Sequence, residues 1–183
     1  MIQNPTFPID TKEAISKIIY ETVLGLEYLF SFNLVHLDIK LENILILKTK
    51  PIKIKIIDLA FCKKLNLLDN KLNTCLGTVG YCCPEIMLHK RYSYKSDIWS
   101  LGIVLYGLSS GYDLFGGRTR KDYKKDLMKF KGIKNIYKKE QYLEGIDEDC
   151  LDLIDNMLVK DPMTRYSYTN IKNHKFIINN MSS

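Results

Sequence analysis

Hydrophobic residues follow first a helical and then an alternating spacing along the chain. From Thr11 to Phe30 they recur three or four positions apart, which predicts an amphipathic helix with one face on a core. Residues 44–47 and 52–57 are apolar runs on either side of a Thr49-Lys50-Pro51 turn, and the second run alternates apolar and polar positions. This pattern predicts two antiparallel strands joined as a small hairpin.

Helical spacing returns in the second half of the chain. Residues 1–10 contain two prolines and are expected to form an extended lead-in. Residues 59–85 carry few regular signals, and connections of this length are usually functional. We expect Ser96 to cap a helix that runs to about Ser109 and lies buried, because it is apolar on nearly all sides. Three further helices are predicted: residues 121–131, a helix capped by Asp147, and a last short helix that begins at Ser167.

Composition and charge narrow the class of protein. The chain has 183 residues, 46% of them hydrophobic, which predicts a single domain over residues 1–183 with a substantial core. The net charge of +6 is spread out without long runs, and no platform of basic and aromatic residues suggests a nucleic-acid partner. The five cysteines lack zinc spacing, and we find no signal peptide or segment of membrane-spanning length. We therefore expect a reduced, intracellular and cytoplasmic protein without a membrane partner.

A polar segment between the predicted helix and the hairpin carries the candidate chemistry. Residues 36–43 include Asp38, Lys40 and Asn43, and Asp58 follows the second strand at the same open end of the hairpin. Phosphoryl transfer uses a carboxylate that orients a hydroxyl group, an ammonium group that neutralises moving charge, and oxygen ligands for a metal ion. The sequence therefore predicts a phosphoryl-transfer site at this edge of the hairpin.

Five segments in chain order resemble the signature motifs of eukaryotic protein kinases of the serine/threonine type. They are His36–Asn43, Asp58–Ala60, Gly77–Glu85, Asp97–Gly102 and Asp161–Arg165. The resemblance implies an α+β fold, mainly α, like the C-terminal lobe of a protein kinase with a small antiparallel β-hairpin. It also implies phosphoryl transfer from ATP to hydroxyl groups of a protein substrate, with ATP and Mg²⁺ as cofactors.

The resemblance implies a role for each chemical group. Asp38 is expected to be catalytic, orienting the substrate hydroxyl and accepting its proton, and Lys40 to contact the transferred phosphate. Lys40 is thus both a catalytic and a cofactor-binding residue. Asn43 and Asp58 are expected to hold Mg²⁺ and, through it, the nucleotide.

Other matching residues are implied to be structural. Asp97 is expected to accept backbone hydrogen bonds from the catalytic segment, and His36 to pack in the core beneath it. Glu85 and Arg165 are expected to form a buried ion pair that holds the end of the activation segment, which the resemblance places at residues 59–85.

The activation segment resembles the family in part. Thr78 is expected to steady Asp38 and Lys40, and Thr74 lies where the family often carries an activating phosphate. Leu37 replaces the arginine that would bind this phosphate, which leaves Lys63 as its partner. Ala60 replaces a flexible glycine, which restricts the backbone after Asp58.

The resemblance covers only the C-terminal lobe of the family's fold. Gly25 is the only glycine before Gly77, so no Gly-rich phosphate loop precedes the catalytic segment. We therefore expect this chain, with the N-terminal lobe absent, to be close to inactive alone and to depend on an N-lobe segment or a partner protein in trans. The alternative is a non-catalytic, pseudokinase-like scaffold that binds through residues 77–85 and the helix at 121–131.

Overall fold

The computed structural model describes residues 11–66, 70–73, 75–116, 119–137 and 145–181. The lead-in expected over residues 1–10 lies outside them. The helices within the described residues are α1 Lys12–Ser31, α2 Pro84–His89, α3 Tyr94–Ser110, α4 Arg120–Lys129, α5 Ile133–Tyr137, α6 Glu148–Met157, α7 Tyr168–Lys172 and α8 Lys175–Met181. The strands are β1 Leu34–Val35, β2 Ile44–Thr49, β3 Ile52–Ile56 and β4 Lys63–Lys64, paired antiparallel as β1 with β4 and β2 with β3. The predicted fold class, mainly α with a small antiparallel hairpin, is confirmed.

Helix α3 forms the centre of the core. Residues 96–106 are all buried, as predicted from the apolar surroundings of this helix. The predicted cap was one turn late: Ser93 is the N-cap and accepts from the Lys95 N–H group at 3.2 Å. The Ser96 hydroxyl oxygen instead accepts the Ser93 N–H group at 3.1 Å, which completes a capping box. Serine is a common N-cap residue, so the sequence alone allows either Ser93 or Ser96; the pair of hydrogen bonds between them makes Ser93 the N-cap.

Helix α1 supports the hairpin. It runs over nearly the range predicted from Thr11 to Phe30, with Thr11 as its N-cap, and buries the face that includes Ile19 and Val23. A Cβ atom at Gly25 would lie 2.9 Å from Ile56 Cδ1, so the glycine lets β3 approach the helix closely. Because the hairpin pairs Ile44 with Ile56, the residues just before β2 and just after β3 emerge at one end.

Three short helices were not predicted. Helix α2 lies at the end of the long connection, α5 follows the turn at Gly132, and α8 follows the helix expected to be the last. Segments of five to seven residues cannot display a helical repeat, and tertiary packing stabilises them. Phe176 and Ile177 of α8 are buried against the core. The predicted helix at 121–131 is α4, which begins and ends slightly earlier.

The cysteines are free thiols in this structure. They are Cys62, Cys75, Cys82, Cys83 and Cys150. None of the helices in the described residues is long and apolar enough to span a bilayer.

Candidate active site

The first turn of α3 holds the segment that leads into Asp38. Asp97 is 1% exposed, and its two carboxylate oxygens accept the backbone N–H groups of His36 and Leu37, each at 2.8 Å. Burial raises the pKa of Asp97 to about 7, although the two N–H donors act to lower it. Leu37 is buried and has a φ angle of 65°, so the backbone turns sharply just before Asp38.

His36 connects this segment to the end of β3. Its ring is fully buried, with Nδ1 3.2 Å from the Asp38 N–H group and Nε2 3.1 Å from the Ile57 carbonyl oxygen. These partners require Nδ1 to accept and Nε2 to donate, which is one neutral tautomer. Burial lowers the pKa of His36, in keeping with a neutral ring. The ring positions backbone atoms and leaves no nitrogen for proton transfer.

Four donor groups converge on the Asp38 carboxylate. Oδ1 accepts the backbone N–H group of Thr78 at 2.9 Å and its hydroxyl group at 2.7 Å. Oδ2 accepts the Asn43 amide at 3.2 Å and lies 3.2 Å from the Lys40 ammonium nitrogen. Burial alone would raise the pKa of Asp38, but Thr78 and Lys40 hold it below its ordinary value. The carboxylate is therefore ionised at neutral pH.

Lys40 lies between the carboxylate and the open side of the site. Its ammonium nitrogen donates to Thr78 Oγ1 at 3.1 Å while remaining close to Asp38. The Lys40 side chain is 21% exposed, whereas that of Asp38 is 1% exposed. The positive charge can therefore contact an anionic ligand without leaving the carboxylate that it neutralises.

Asn43 and Asp58 lie where the two hairpin strands meet the site. The Asn43 amide nitrogen donates to the Asp38 carbonyl oxygen at 2.8 Å as well as to its carboxylate, which leaves the amide oxygen as an acceptor. The Ile57 N–H group bonds to the Asn43 carbonyl oxygen at 3.0 Å, so Asp58 is the next residue after this link. Asp58 is exposed, at a φ angle of 65°, and its Oδ1 accepts the Ala60 N–H group at 3.2 Å.

The donor set at this edge suits magnesium. The described residues contain no cluster of three or more histidine, cysteine or acidic side chains that could hold a metal on their own. Mg²⁺ needs no such cluster, because it prefers one or two protein oxygens together with water and phosphate oxygens. The free amide oxygen of Asn43 and the exposed carboxylate of Asp58 supply such oxygens.

Residues 75–83 of the activation segment are fixed against the site by contacts that sequence reasoning missed. Ser100 of α3 donates to the Tyr81 carbonyl oxygen at 2.9 Å, and Tyr123 of α4 to that of Cys82 at 2.6 Å. Ser100 lies within one of the quoted motifs, but Tyr123 has no local sequence signal. A Cβ atom at Gly77 would lie 2.8 Å from the Leu37 carbonyl oxygen, so only glycine fits there. Thr74, the expected phosphate acceptor, lies outside the described residues.

Glu85 and Arg165 join α2 to the segment before α7. The guanidinium group donates to both carboxylate oxygens, at 2.8 and 2.9 Å, and Arg165 is 1% exposed. It also donates to the carbonyl oxygens of Val159 at 2.8 Å and Lys95 at 2.7 Å. Burial would raise the pKa of Glu85, but Arg165 lowers it below its ordinary value. The pair is buried, bidentate and supported by further acceptors, the geometry in which arginine pairs are strong.

The replacements seen in the sequence are accommodated locally. Ala60 has no left-handed φ angle, so the positive φ belongs to Asp58 and alanine fits where a glycine was expected. Leu37 is a buried core residue. Lys63, the remaining candidate partner for a phosphate, lies exposed on β4.

Comparison with known proteins agrees with this geometry. The family model described as "Protein kinase domain" matches residues 3–177. The 3-phosphoinositide-dependent protein kinase B of Dictyostelium discoideum is 35% identical over 161 residues, which cover 85% of this chain and 16% of that protein. The serine/threonine-protein kinase SAPK9 of Oryza sativa subsp. japonica is 31% identical over 163 residues, 88% of this chain and 44% of that protein. The serine/threonine-protein kinase pakA of Talaromyces marneffei is 36% identical over 174 residues, 94% of this chain and 26% of that protein.

The chain therefore spans less than half the length of each of these three relatives. The family model nevertheless covers nearly all of the chain. On this match, together with the arrangement of its site, the chain belongs to the protein kinase family.

Proposed function

We propose that this chain carries the catalytic lobe of a serine/threonine protein kinase, which transfers the γ-phosphoryl group of ATP to a hydroxyl group of a protein. The observation that carries the proposal is the environment of Asp38. Its carboxylate is ionised, nearly buried and oriented by Thr78, Asn43 and Lys40. A structural carboxylate would not need a partly exposed ammonium group beside it.

In the proposed reaction Asp38 receives the substrate hydroxyl group. The hydroxyl oxygen forms a bond to the γ-phosphorus, the bond to the bridging oxygen of ADP breaks, and Asp38 accepts the hydroxyl proton. Lys40 neutralises the transferred phosphoryl group, while Thr78 keeps both side chains in position. Asn43 and Asp58 would hold Mg²⁺, which when bound offsets the charge of the phosphates.

The proposed preference for serine and threonine rests on Lys40, two positions after Asp38, and on the serine/threonine kinases among the relatives. The proposal assigns the chain a protein substrate, because the matching family model describes a protein kinase domain.

The test compares the wild-type chain with Asp38→Asn, using ATP labelled at the γ-phosphate and a library of serine and threonine peptides. We expect slow transfer that the substitution reduces by about 100-fold or more. Asp149→Asn on α6 is the matched control, since the ion pair of this half-buried carboxylate within the described residues is with Lys175, and its loss should leave the rate unchanged. Equal background rates in wild type and Asp38→Asn, with both proteins folded, would contradict catalysis by this chain on its own and favour the binding scaffold.

A further inference from the structure

Residues 77–82 form a tight turn, called here the Thr78 turn. The Thr78 carbonyl oxygen accepts the N–H groups of both Tyr81 and Cys82, at 3.1 and 3.2 Å. Gly80 has a φ angle of 97°, in the left-handed region that glycine adopts without strain. The position of Thr78 is therefore tied to the positions of the residues that complete the turn.

Two buried hydroxyl groups hold the end of the Thr78 turn. Ser100 of α3 donates to the Tyr81 carbonyl oxygen at 2.9 Å, and Tyr123 of α4 donates to the Cys82 carbonyl oxygen at 2.6 Å. Ser100 is 5% exposed and Tyr123 is fully buried. Burial raises the pKa of the Tyr123 hydroxyl group well above its ordinary value, so the group remains a donor. A hydrogen bond in the low-dielectric interior is stronger than the same bond in water.

The start of the Thr78 turn is also held by α4. Arg120 donates to the Gly77 carbonyl oxygen at 3.4 Å, and the N–H group of the same peptide unit belongs to Thr78. That N–H group donates to Asp38 Oδ1 at 2.9 Å. One peptide unit therefore lies between a guanidinium group on α4 and the Asp38 carboxylate. Because Arg120 and Tyr123 are three residues apart, they share one face of the helix, and this face contacts both ends of the turn.

Thr78 is the contact that the two proposed catalytic side chains share. Its N–H and hydroxyl groups both donate to Asp38, and its hydroxyl oxygen accepts the Lys40 ammonium group at 3.1 Å. A displacement of Thr78 would therefore misplace Asp38 and Lys40 together. Rates depend steeply on such geometry, since a displacement of about 1 Å can lower a rate about 100-fold.

We propose that helix α4 positions Asp38 through the Thr78 turn. The positioning residues are Tyr123 and Arg120 of α4, assisted by Ser100 of α3. The effect on phosphoryl transfer rests on the proposed function, whereas the effect on Thr78 does not. Tyr123 contributes most, because its hydrogen bond is short and fully buried. Arg120 contributes less, because its contact is longer and its side chain is exposed.

The experiment measures hydrogen–deuterium exchange of single amides by NMR on the isotopically labelled chain without nucleotide, and compares wild type with Tyr123→Phe. Phenylalanine keeps the ring, which packs edge-on against Phe115 with ring centres 5.2 Å apart, and removes only the hydroxyl group. The Cys82 carbonyl oxygen then loses its buried donor. We expect the Thr78 amide to exchange about tenfold faster, as for the loss of one buried hydrogen bond.

Tyr168→Phe on α7 is the matched control. Tyr168 is also buried, and its hydroxyl group donates to the Tyr94 carbonyl oxygen at 3.5 Å, at the start of α3. The substitution removes one hydroxyl group from the core without changing a contact of the Thr78 turn, so the Thr78 amide should exchange as in wild type. Melting temperatures of the two variants show whether either substitution lowers the stability of the whole chain.

Transfer rates provide a second measurement. With ATP labelled at the γ-phosphate and the serine and threonine peptides, we expect Tyr123→Phe to lower kcat about tenfold and to leave KM for ATP unchanged. Arg120→Ala should lower kcat about two- to threefold. If wild type transfers no phosphate while the Thr78 amide responds as expected, the proposed function fails and the positioning by α4 stands.

Two outcomes would overturn the proposal. The first is an unchanged exchange rate of the Thr78 amide in folded Tyr123→Phe. The second is faster exchange that is equal at Thr78 and at the amides of α1, or equal in Tyr168→Phe, because either result shows a general loss of stability rather than a positioning role.

Discussion

At the scale of single residues, the site depends on the charge state of Asp38. The pKa of this carboxyl group is below its ordinary value of 3.8, so it contributes stability that is present above pH 3.8 and is lost as the pH falls through the folded pKa. Asp97 has the opposite effect on stability, because burial raises its pKa from 3.8 to about 7. Its contribution to the free energy of unfolding is present below pH 3.8 and declines as the pH rises towards 7. A comparison of variants at Thr78 isolates the effect of Asp38, because Asp97 is common to all of them.

Thr78→Val removes the hydroxyl group that bonds Asp38 at 2.7 Å and leaves the backbone bond in place. We expect the pKa of Asp38 to rise and the acid limb of the pH–rate profile to move to higher pH. Unfolding in urea at neutral pH should show a loss of about 1.5–3 kcal/mol, the usual worth of a hydrogen bond to a charged group. Thr78→Ser, which keeps the hydroxyl group, should restore both values. If valine and serine behave alike, the hydroxyl group does not support the carboxylate.

At the scale of elements, close approach of α3 and α6 brings the core together at Gly102. A Cβ atom there would lie 2.9 Å from Leu158 Cδ2 and 3.1 Å from Met157 Cβ. We expect Gly102→Ala to lower the free energy of unfolding by about 1–2 kcal/mol, since overpacking outweighs the better helix propensity of alanine.

Gly107 in the same helix provides the matched comparison. Its nearest neighbours to a new Cβ atom are Leu41 Cδ1 at 3.8 Å and the Tyr112 carbonyl oxygen at 3.9 Å, which are ordinary contacts. Gly107→Ala should raise the free energy of unfolding by about 0.5–1 kcal/mol. Opposite signs for the two substitutions, measured by urea unfolding, support the helix packing described; equal effects would argue against it.

The Glu85–Arg165 pair links α2 to the segment before α7 and is almost fully buried. Arg165→Ala leaves Glu85 without its partner in the interior, and we expect a loss of about 3–5 kcal/mol and a sharply reduced soluble yield. Lys172→Ala is the control, because the ion pair of Lys172 with Glu27 is even shorter, at 2.5 Å against 2.8 Å, but more exposed. Its loss should cost about 0–1 kcal/mol. An unchanged melting temperature for Arg165→Ala would rule out the structural role of the pair.

At the scale of the whole molecule, the elements that could be predicted from the sequence are those with a local pattern of hydrophobic and polar residues. The helical repeat predicted α1, a run that is apolar on nearly all sides predicted α3, and the alternation predicted the hairpin. The short spacing of Asp38, Lys40 and Asn43 predicted that they lie together, and in the structure these side chains are in contact. Contacts between distant segments carry no such pattern, which is why the bond from Tyr123 to the Cys82 carbonyl oxygen was missed. Short helices such as α5 were not predicted, because they are too short to show a helical repeat and are stabilised by packing.

The central claim is that Asp38, Lys40, Asn43 and Asp58 serve one nucleotide–metal site. It is tested most directly by adding Mn²⁺ and ATP to the isotopically labelled chain, because paramagnetic Mn²⁺ broadens the NMR signals of amides close to it. We predict that the amides of Asn43 and Asp58 broaden first and that Asp58→Asn abolishes this broadening. Broadening confined to other carboxylates, such as Asp122 and Asp126 of α4, or unaffected by Asp58→Asn, would contradict the account.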